Sequence, residues 1–211
     1  QEILGFGAAF TDTAVTAFNT LDSPTQQQLL QDLFTVPSTA FSSSSSSSSP
    51  DNSTVGIGLS LMRHTIGQSD LTPMSIGEWS FDMLPTGVTS DPNLTYFNLT
   101  QAGRDMVSWL TRMQAVAQGQ TSNNIQGNGG GKRHSGSGIN DNRKGVFLLG
   151  SIWSPPQWMK QDNTLHWGYV DTWVEYIVNY LTTYRESGIE VDALTMQVGY
   201  KHQLHRLRSE F

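Results

Sequence analysis

The chain has no cysteine among its 211 residues, so neither a disulfide framework nor a thiolate metal site is open to it. Charge is scarce as well: 14% of residues are charged and the net charge is -6. That balance argues against the basic face that nucleic-acid binding needs. No apolar run is long enough to span a bilayer. In place of charge the chain carries Ser, Thr, Asn, Gln and Gly, a surface suited to secretion. Asn52-Ser-Thr54, Asn93-Leu-Thr95 and Asn98-Leu-Thr100 would then be N-glycosylation acceptors. The start at Gln1, without Met or apolar leader, fits a removed signal peptide or a fragment.

What the chain does have is an alternation of apolar runs with two periods. Glu2–Phe10 reads as a short glycine-rich strand, and Thr11-Asp12 caps a helix that begins with Ala14, Val15, Ala17 and Phe18. Ser23-Pro24 opens a second helix with Leu29, Leu30, Leu33 and Phe34 on one face. Val55–Met62 reads as a strand and Arg63–Asp70 as a polar loop after it. Leu99, Ala102, Met106, Leu110 and Met113 recur at helix spacing. Val146–Leu149 is a buried strand, and Val170, Trp173, Ile177 and Leu181 stripe a helix over 169–185 that Gly188 stops. Val191–Gln197 is a fourth strand. Strand–helix alternation favours an α/β fold with a parallel sheet. Two low-complexity insertions, a Ser-rich one over 42–50 and a Gly-rich one over 119–144, interrupt it as solvated loops.

The most informative stretch is Leu148-Leu-Gly-Ser-Ile-Trp-Ser-Pro-Pro-Gln-Trp-Met-Lys160. A strand stops and delivers Trp153 just past its carboxyl end, where Pro155 and Pro156 stiffen the loop. Ligands in parallel α/β proteins bind at that end of the strands. A Trp held there suits stacking on a sugar ring. The local pattern equally suits Trp153 and Trp158 as ordinary half-buried aromatics, and leaves both readings open.

Together with Gly5-Phe-Gly-Ala-Ala-Phe-Thr-Asp12, Leu61-Met-Arg-His-Thr-Ile66, Ser69-Asp70 and Val191-Asp-Ala-Leu-Thr-Met-Gln197, that stretch resembles glycoside hydrolase family 30. The resemblance covers most of the chain to Gln197 apart from the insertions, and lies closer to the fungal β-1,6-glycanase branch than to glucosylceramidases. It implies that residues 1–197 are the first four or so βα units of a (β/α)8 TIM barrel. It implies a retaining β-glycosidase without cofactor or metal, acting on β-1,6-glucan, β-1,6-galactan or glucosylceramide. In such enzymes one carboxyl serves as acid/base and a second as nucleophile, roughly 5–5.5 Å apart.

By the same resemblance, Asp70 accepts hydrogen bonds from sugar hydroxyls, Arg63 supports the site's polar network, and Trp153 and Trp158 wall the sugar. For Asp70 the plain alternative is a solvated turn acid. For Arg63 it is an ion pair with a carboxylate such as Asp12. The acid/base glutamate belongs directly after Gln197 in an Asn-Glu-Pro sequence, where this chain has Val198-Gly199-Tyr200. The nucleophile belongs to a later strand. Residues 198–211 therefore read as an unrelated tail, from intron read-through or a shifted frame, and these 211 residues as inactive. The alternative is a non-catalytic, truncated carbohydrate-binding relative. His64 reads as a packed strand-end histidine, and Glu78 and Asp82, flanked by Trp79 and Phe81, as a loop anchor rather than an acid/base couple. His202 and His205 lack a third ligand for a metal.

Overall fold

A computed structural model describes residues 5–36, 56–119 and 145–195. The Ser-rich insertion, the Gly-rich insertion beyond Gly119, Asn52, Gln197, the 198–211 tail and its histidines lie outside the described residues.

Four strands, β1 (Gly7–Phe10), β2 (Leu61–Ile66), β3 (Phe147–Ile152) and β6 (Ala193–Thr195), form one sheet in that order. All three pairings are parallel. Helices α1 (Asp12–Asn19), α2 (Ser23–Phe34), α3 (Gln101–Ala117) and α4 (Val170–Glu186) supply the alternation expected. A small antiparallel hairpin, β4 (Lys160–Gln161) with β5 (Thr164–Leu165), follows the tryptophan-rich stretch. Its turn residues Asp162 and Asn163 hold φ of 51° and 60°, the left-handed region that Asp and Asn tolerate best among non-glycine residues.

The helix starts follow from their caps. Thr11 accepts from the Ala14 amide, as expected. The second helix is capped by Asp22, which accepts from the Thr25 amide at 2.9 Å; Ser23 is already its first residue. A carboxylate there also faces the positive end of the helix dipole. Gly188, at φ +84°, takes the left-handed position just past α4.

Two strands differ from the sequence reading in the same direction. β2 begins at Leu61, six residues later than expected, and runs through Arg63-His-Thr-Ile, which had the polarity of a loop. β3 continues past Leu149 through Gly150-Ser-Ile152. The cause is the two-residue period of a strand. Met62, His64, Ile66, Leu148 and Ile152 are buried on the helix-covered face. Arg63, Thr65, Leu149, Ser151 and Thr195 share the opposite face, in lateral register. Polar side chains there are compatible with a strand. Gly150 gives room for close packing on the covered face, where a Cβ would meet Tyr180 Oη at 3.0 Å and Leu194 Cδ2 at 2.9 Å.

The core follows from aromatic packing. On α4 the fully buried stripe is Tyr176, Tyr180 and Tyr184, one helical turn apart, while Trp173, Ile177 and Leu181 are only partly buried. Tyrosine serves because its hydroxyl finds partners inside: Tyr176 Oη accepts from the Phe81 amide at 3.0 Å. Met106, Leu110 and Met113 of α3 are buried as expected, joined by Trp109.

Candidate functional site

The carboxyl ends of β2 and β3 lead into two long connections, residues 67–100 and 153–169; Asp70, Trp153 and Trp158 lie there, while Arg63 lies within β2. Arg63 extends along the polar sheet face, and its guanidinium carbon sits 4.6 Å from the centre of the Trp153 ring. Such a stack is worth about 0.5–2 kcal/mol and fixes both side chains. In register above Arg63, Thr65, Ser151 and Thr195 form a transverse row, with Ser151 Oγ 2.9 Å from Thr195 Oγ1. Thr65 Oγ1 is buried without a partner among the described residues.

Arg63 therefore does not take the ion pair with Asp12 that the sequence left open. Asp12 is 2% exposed, and its carboxyl collects other donors. Ser69 Oγ donates at 3.0 Å, Trp79 Nε1 at 3.0 Å and the Thr13 amide at 3.1 Å, and the Thr72 hydroxyl donates as well. Asp12 thus anchors the connection after β2. Asp70 lies on that anchored loop, exposed, and no described residue is hydrogen-bonded to its carboxyl. An acceptor held on a pinned loop in open solvent is available to a ligand.

Trp158 lies five residues beyond Trp153 on the same connection, in the short helical turn Gln157–Met159. Its ring meets Tyr169 edge-on, at 5.1 Å and 82°. Trp79 and Phe81 are buried, so the loop-anchor reading of that segment holds for the aromatics. The two acids between them diverge. Glu78 is exposed and lies within electrostatic range of Lys160. Asp82 is 1% exposed, and burial, with Asp91 nearby, pushes its pKa up to about 6. Trp158 is close enough to oppose that shift, although its Nε1 and both Asp82 oxygens fall short of hydrogen-bond geometry. The burial of Asp82 could not be read from sequence, because the groups beside it, Asp91 and Trp158, come from other parts of the chain.

His64 is packed, as expected. It is fully buried, stacked on Tyr184 at 5.6 Å, with Nε2 2.5 Å from Tyr180 Oη. Burial lowers its pKa from 6.5 to about 4. The folded state thus holds the neutral ring while the unfolded chain takes up a proton below pH 6.5. This contribution to stability is complete above pH 6.5, shrinks as the pH falls, and is spent near pH 4, a span worth roughly 3 kcal/mol. Asp82 acts with the opposite sign: its raised pKa makes stability fall as pH rises from about 4 to about 6. The difference between wild type and His64→Gln isolates the histidine. Denaturant titrations should show that difference widening from pH 4 to pH 7; a constant offset would contradict the assignment.

Among the described residues no group of three or more His, Asp or Glu side chains is arranged to hold a metal. None of their helices is long and apolar enough to cross a membrane. Asn93 and Asn98 are exposed.

No family model matches the chain. Individual proteins do. It is 31% identical over 93% of its length to an endo-1,6-beta-D-glucanase of Trichoderma harzianum and, equally, to one of Aspergillus fumigatus. The chain is a relative of the endo-1,6-β-glucanases. A putative glucosylceramidase of Caenorhabditis elegans is 26% identical over 93% of the chain, consistent with the resemblance carried by the sequence motifs. A solved endo-β1,6-glucanase superposes over 93% of the chain with a TM-score of 0.60 at 19% identity, a likeness of fold. The chain spans about a third of the length of these relatives: 34% and 35% of the two fungal glucanases, 30% of the glucosylceramidase and 34% of the solved structure.

Proposed function

We propose that this chain is the sugar-gripping part of a secreted β-glucan hydrolase, and that its 211 residues bind β-1,6-glucan without hydrolysing it. The observation that carries the reading is the Arg63–Trp153 stack at the carboxyl ends of the strands. The cation covers one face of the indole and locks the ring. A locked ring loses little entropy when its other surfaces meet a pyranose. Asp70 supplies an acceptor for sugar hydroxyls, and Trp158 walls the sugar.

On this reading the parallel sheet is the first four strands of a (β/α)8 barrel, and residues 1–197 are one part of that domain. The polar face with Thr65, Ser151 and Thr195 looks into the barrel. The likeness to glucanases, stronger than that to the glucosylceramidase, favours β-1,6-glucan over a glycolipid. The exposed sequons at Asn93 and Asn98 fit the secretory route. Proton donation is the missing chemistry. Gly199 stands where the family's acid/base would be, and glycine has no side chain to protonate a leaving oxygen. General acid–base assistance contributes about 10²–10⁴-fold.

Titration calorimetry and reducing-sugar release test both halves. The 211-residue chain should bind gentiotriose, with Trp153→Ala weakening binding by about tenfold or more, and should release no sugar from β-1,6-glucan. Turnover by this chain would overturn the binding-only half. An absence of affinity for any β-1,6-linked oligosaccharide would overturn the glycan reading.

A further inference from the structure

Of the six tryptophans, only Trp167 is left exposed, at 75%. Exposure by itself says little, since isolated surface hydrophobics are common. What distinguishes Trp167 is where it stands and how firmly its backbone is held. It opens the short helical turn Trp167–Tyr169 directly after β5. β4 and β5 pair Gln161 with Thr164 and Lys160 with Leu165, and the His166 amide continues the register by donating to the Met159 carbonyl at 2.8 Å. One residue further on each side come Trp158 and Trp167, at the same end of the hairpin. The turn is then closed from within. The Tyr169 amide donates to the His166 carbonyl at 2.9 Å, and the Gly168 amide to His166 Nδ1 at 3.1 Å. The Tyr169 ring ties it back, 5.1 Å from Trp158 and 5.7 Å from His166.

Trp153, Trp158 and Trp167 thus follow one another on a single connection out of β3. The first is covered by Arg63, the second is half-buried, and the third stands in solvent. That order of exposure is a track leading outward from the strand ends. Hydrogen-bonding groups flank its outer end: Gln161, Asp162 and Asn163 are exposed, and so is His166, whose Nδ1 accepts from Gly168 and leaves Nε2 as the donor of the neutral ring. An indole with a polar rim matches a pyranose, which has C–H groups on its faces and hydroxyls at its edge. A stacking nucleobase would bring phosphates to a chain of net charge -6. A 1→6 linkage also has one more rotatable bond than a linkage to a ring carbon. A second fixed point on such a flexible chain binds intramolecularly once the first is engaged, and so adds affinity without a tight contact of its own.

We propose that Trp167 is an outer stacking platform for a glucose unit of the β-1,6-glucan chain, beyond the unit held at Trp153. The inference rests on the glycan-binding reading and extends it along the chain. Affinity then grows with the length of the oligosaccharide, and Trp167 carries the growth.

The test is two-dimensional NMR of the indole N–H signals of the full 211-residue chain, titrated with gentiobiose and with gentiohexaose and assigned by single Trp→Phe variants. Both sugars should shift the Trp153 signal, and only gentiohexaose the Trp167 signal. Trp167→Ala removes an exposed side chain; it should weaken gentiohexaose binding by about tenfold and leave gentiobiose binding unchanged. Gentiohexaose binding with an unmoved Trp167 signal and unchanged affinity in Trp167→Ala would overturn the platform while leaving the glycan reading intact. A Trp167 signal that gentiobiose moves as far as gentiohexaose does would place it in the inner site and overturn the outer one. A Trp167 signal that moves with protein concentration alone would show a second copy covering the ring, which also overturns the platform. Binding of neither sugar would overturn both readings.

Discussion

Replacing Asp12 with alanine is expected to cost roughly 3–5 kcal/mol of stability, enough to unfold a marginal domain. The carboxyl is buried at the start of α1, and the Ser69 and Thr72 hydroxyls and the Trp79 indole all donate to it. Those donors sit 57 to 67 residues further along the chain. Removing the acceptor strands them in a site with no replacement, and each unsatisfied group costs about 1–3 kcal/mol, reduced where a hydroxyl can rotate toward water. The loss is local as well as global. Residues 69–79 carry Asp70, so the same substitution should weaken gentiotriose binding by more than the stability loss explains at temperatures where the protein remains folded. Asp12→Asn should fall between, because the amide keeps one acceptor and opposes one donor with another. Urea denaturation measures the stability change; a loss under about 1 kcal/mol for Asp12→Ala would show that the network is not what pins the loop.

Phe81→Ala is expected to cost about 3–5 kcal/mol by cavity formation. Phe81 is 0% exposed and belongs to no helix or strand of the sheet. Its ring nevertheless touches Trp79, Phe97, Tyr176, Tyr180 and Tyr184. It is the plug by which the 67–100 connection seats on α4. These five rings cannot all collapse into the space, so the cavity term should be near the top of its range. Phe81→Leu keeps most of the volume and should cost less than half as much. Equal losses for the two variants would mean that backbone disruption, not volume, sets the cost. Because Phe81 neighbours Asp82, the alanine variant should also admit water to that carboxyl and bring its pKa back toward 4.

Elements specified by local sequence are legible from it. Helix periods, the Thr11 cap, Gly188 and the four-strand alternation are written in residues within a few positions of each other, so composition and period suffice. Sequence and structure differ where one face of an element meets residues far along the chain. Arg63-His-Thr-Ile has the polarity of a loop, yet it is the inner length of β2, because Arg63 and Thr65 alternate onto a face that tolerates polarity. Hydrophobicity places the α4 stripe on Trp173, Ile177 and Leu181, whereas the buried residues are Tyr176, Tyr180 and Tyr184, and the hydroxyls of the first two meet a loop amide and a histidine. Hydrophobicity scales undervalue a tyrosine whose polar tip has a partner.

The candidate site divides in the same way. Sequence alone determined the ordered motifs that resemble β-glucan hydrolases and the exclusion of thiol chemistry, and that resemblance supplied the candidates Arg63, Asp70, Trp153 and Trp158. Motifs and composition depend only on residue identity and order along the chain. Only the tertiary structure decided that Arg63 stacks on Trp153 rather than pairing with Asp12, that Asp12 instead ties down the loop bearing Asp70, and that Asp82 is buried against Trp158. Each of these is a contact between strands or loops far apart in sequence. A guanidinium has the same charge beside a carboxylate or above an indole, and only the sheet register, which fixes the side-chain directions on neighbouring strands, selects between them.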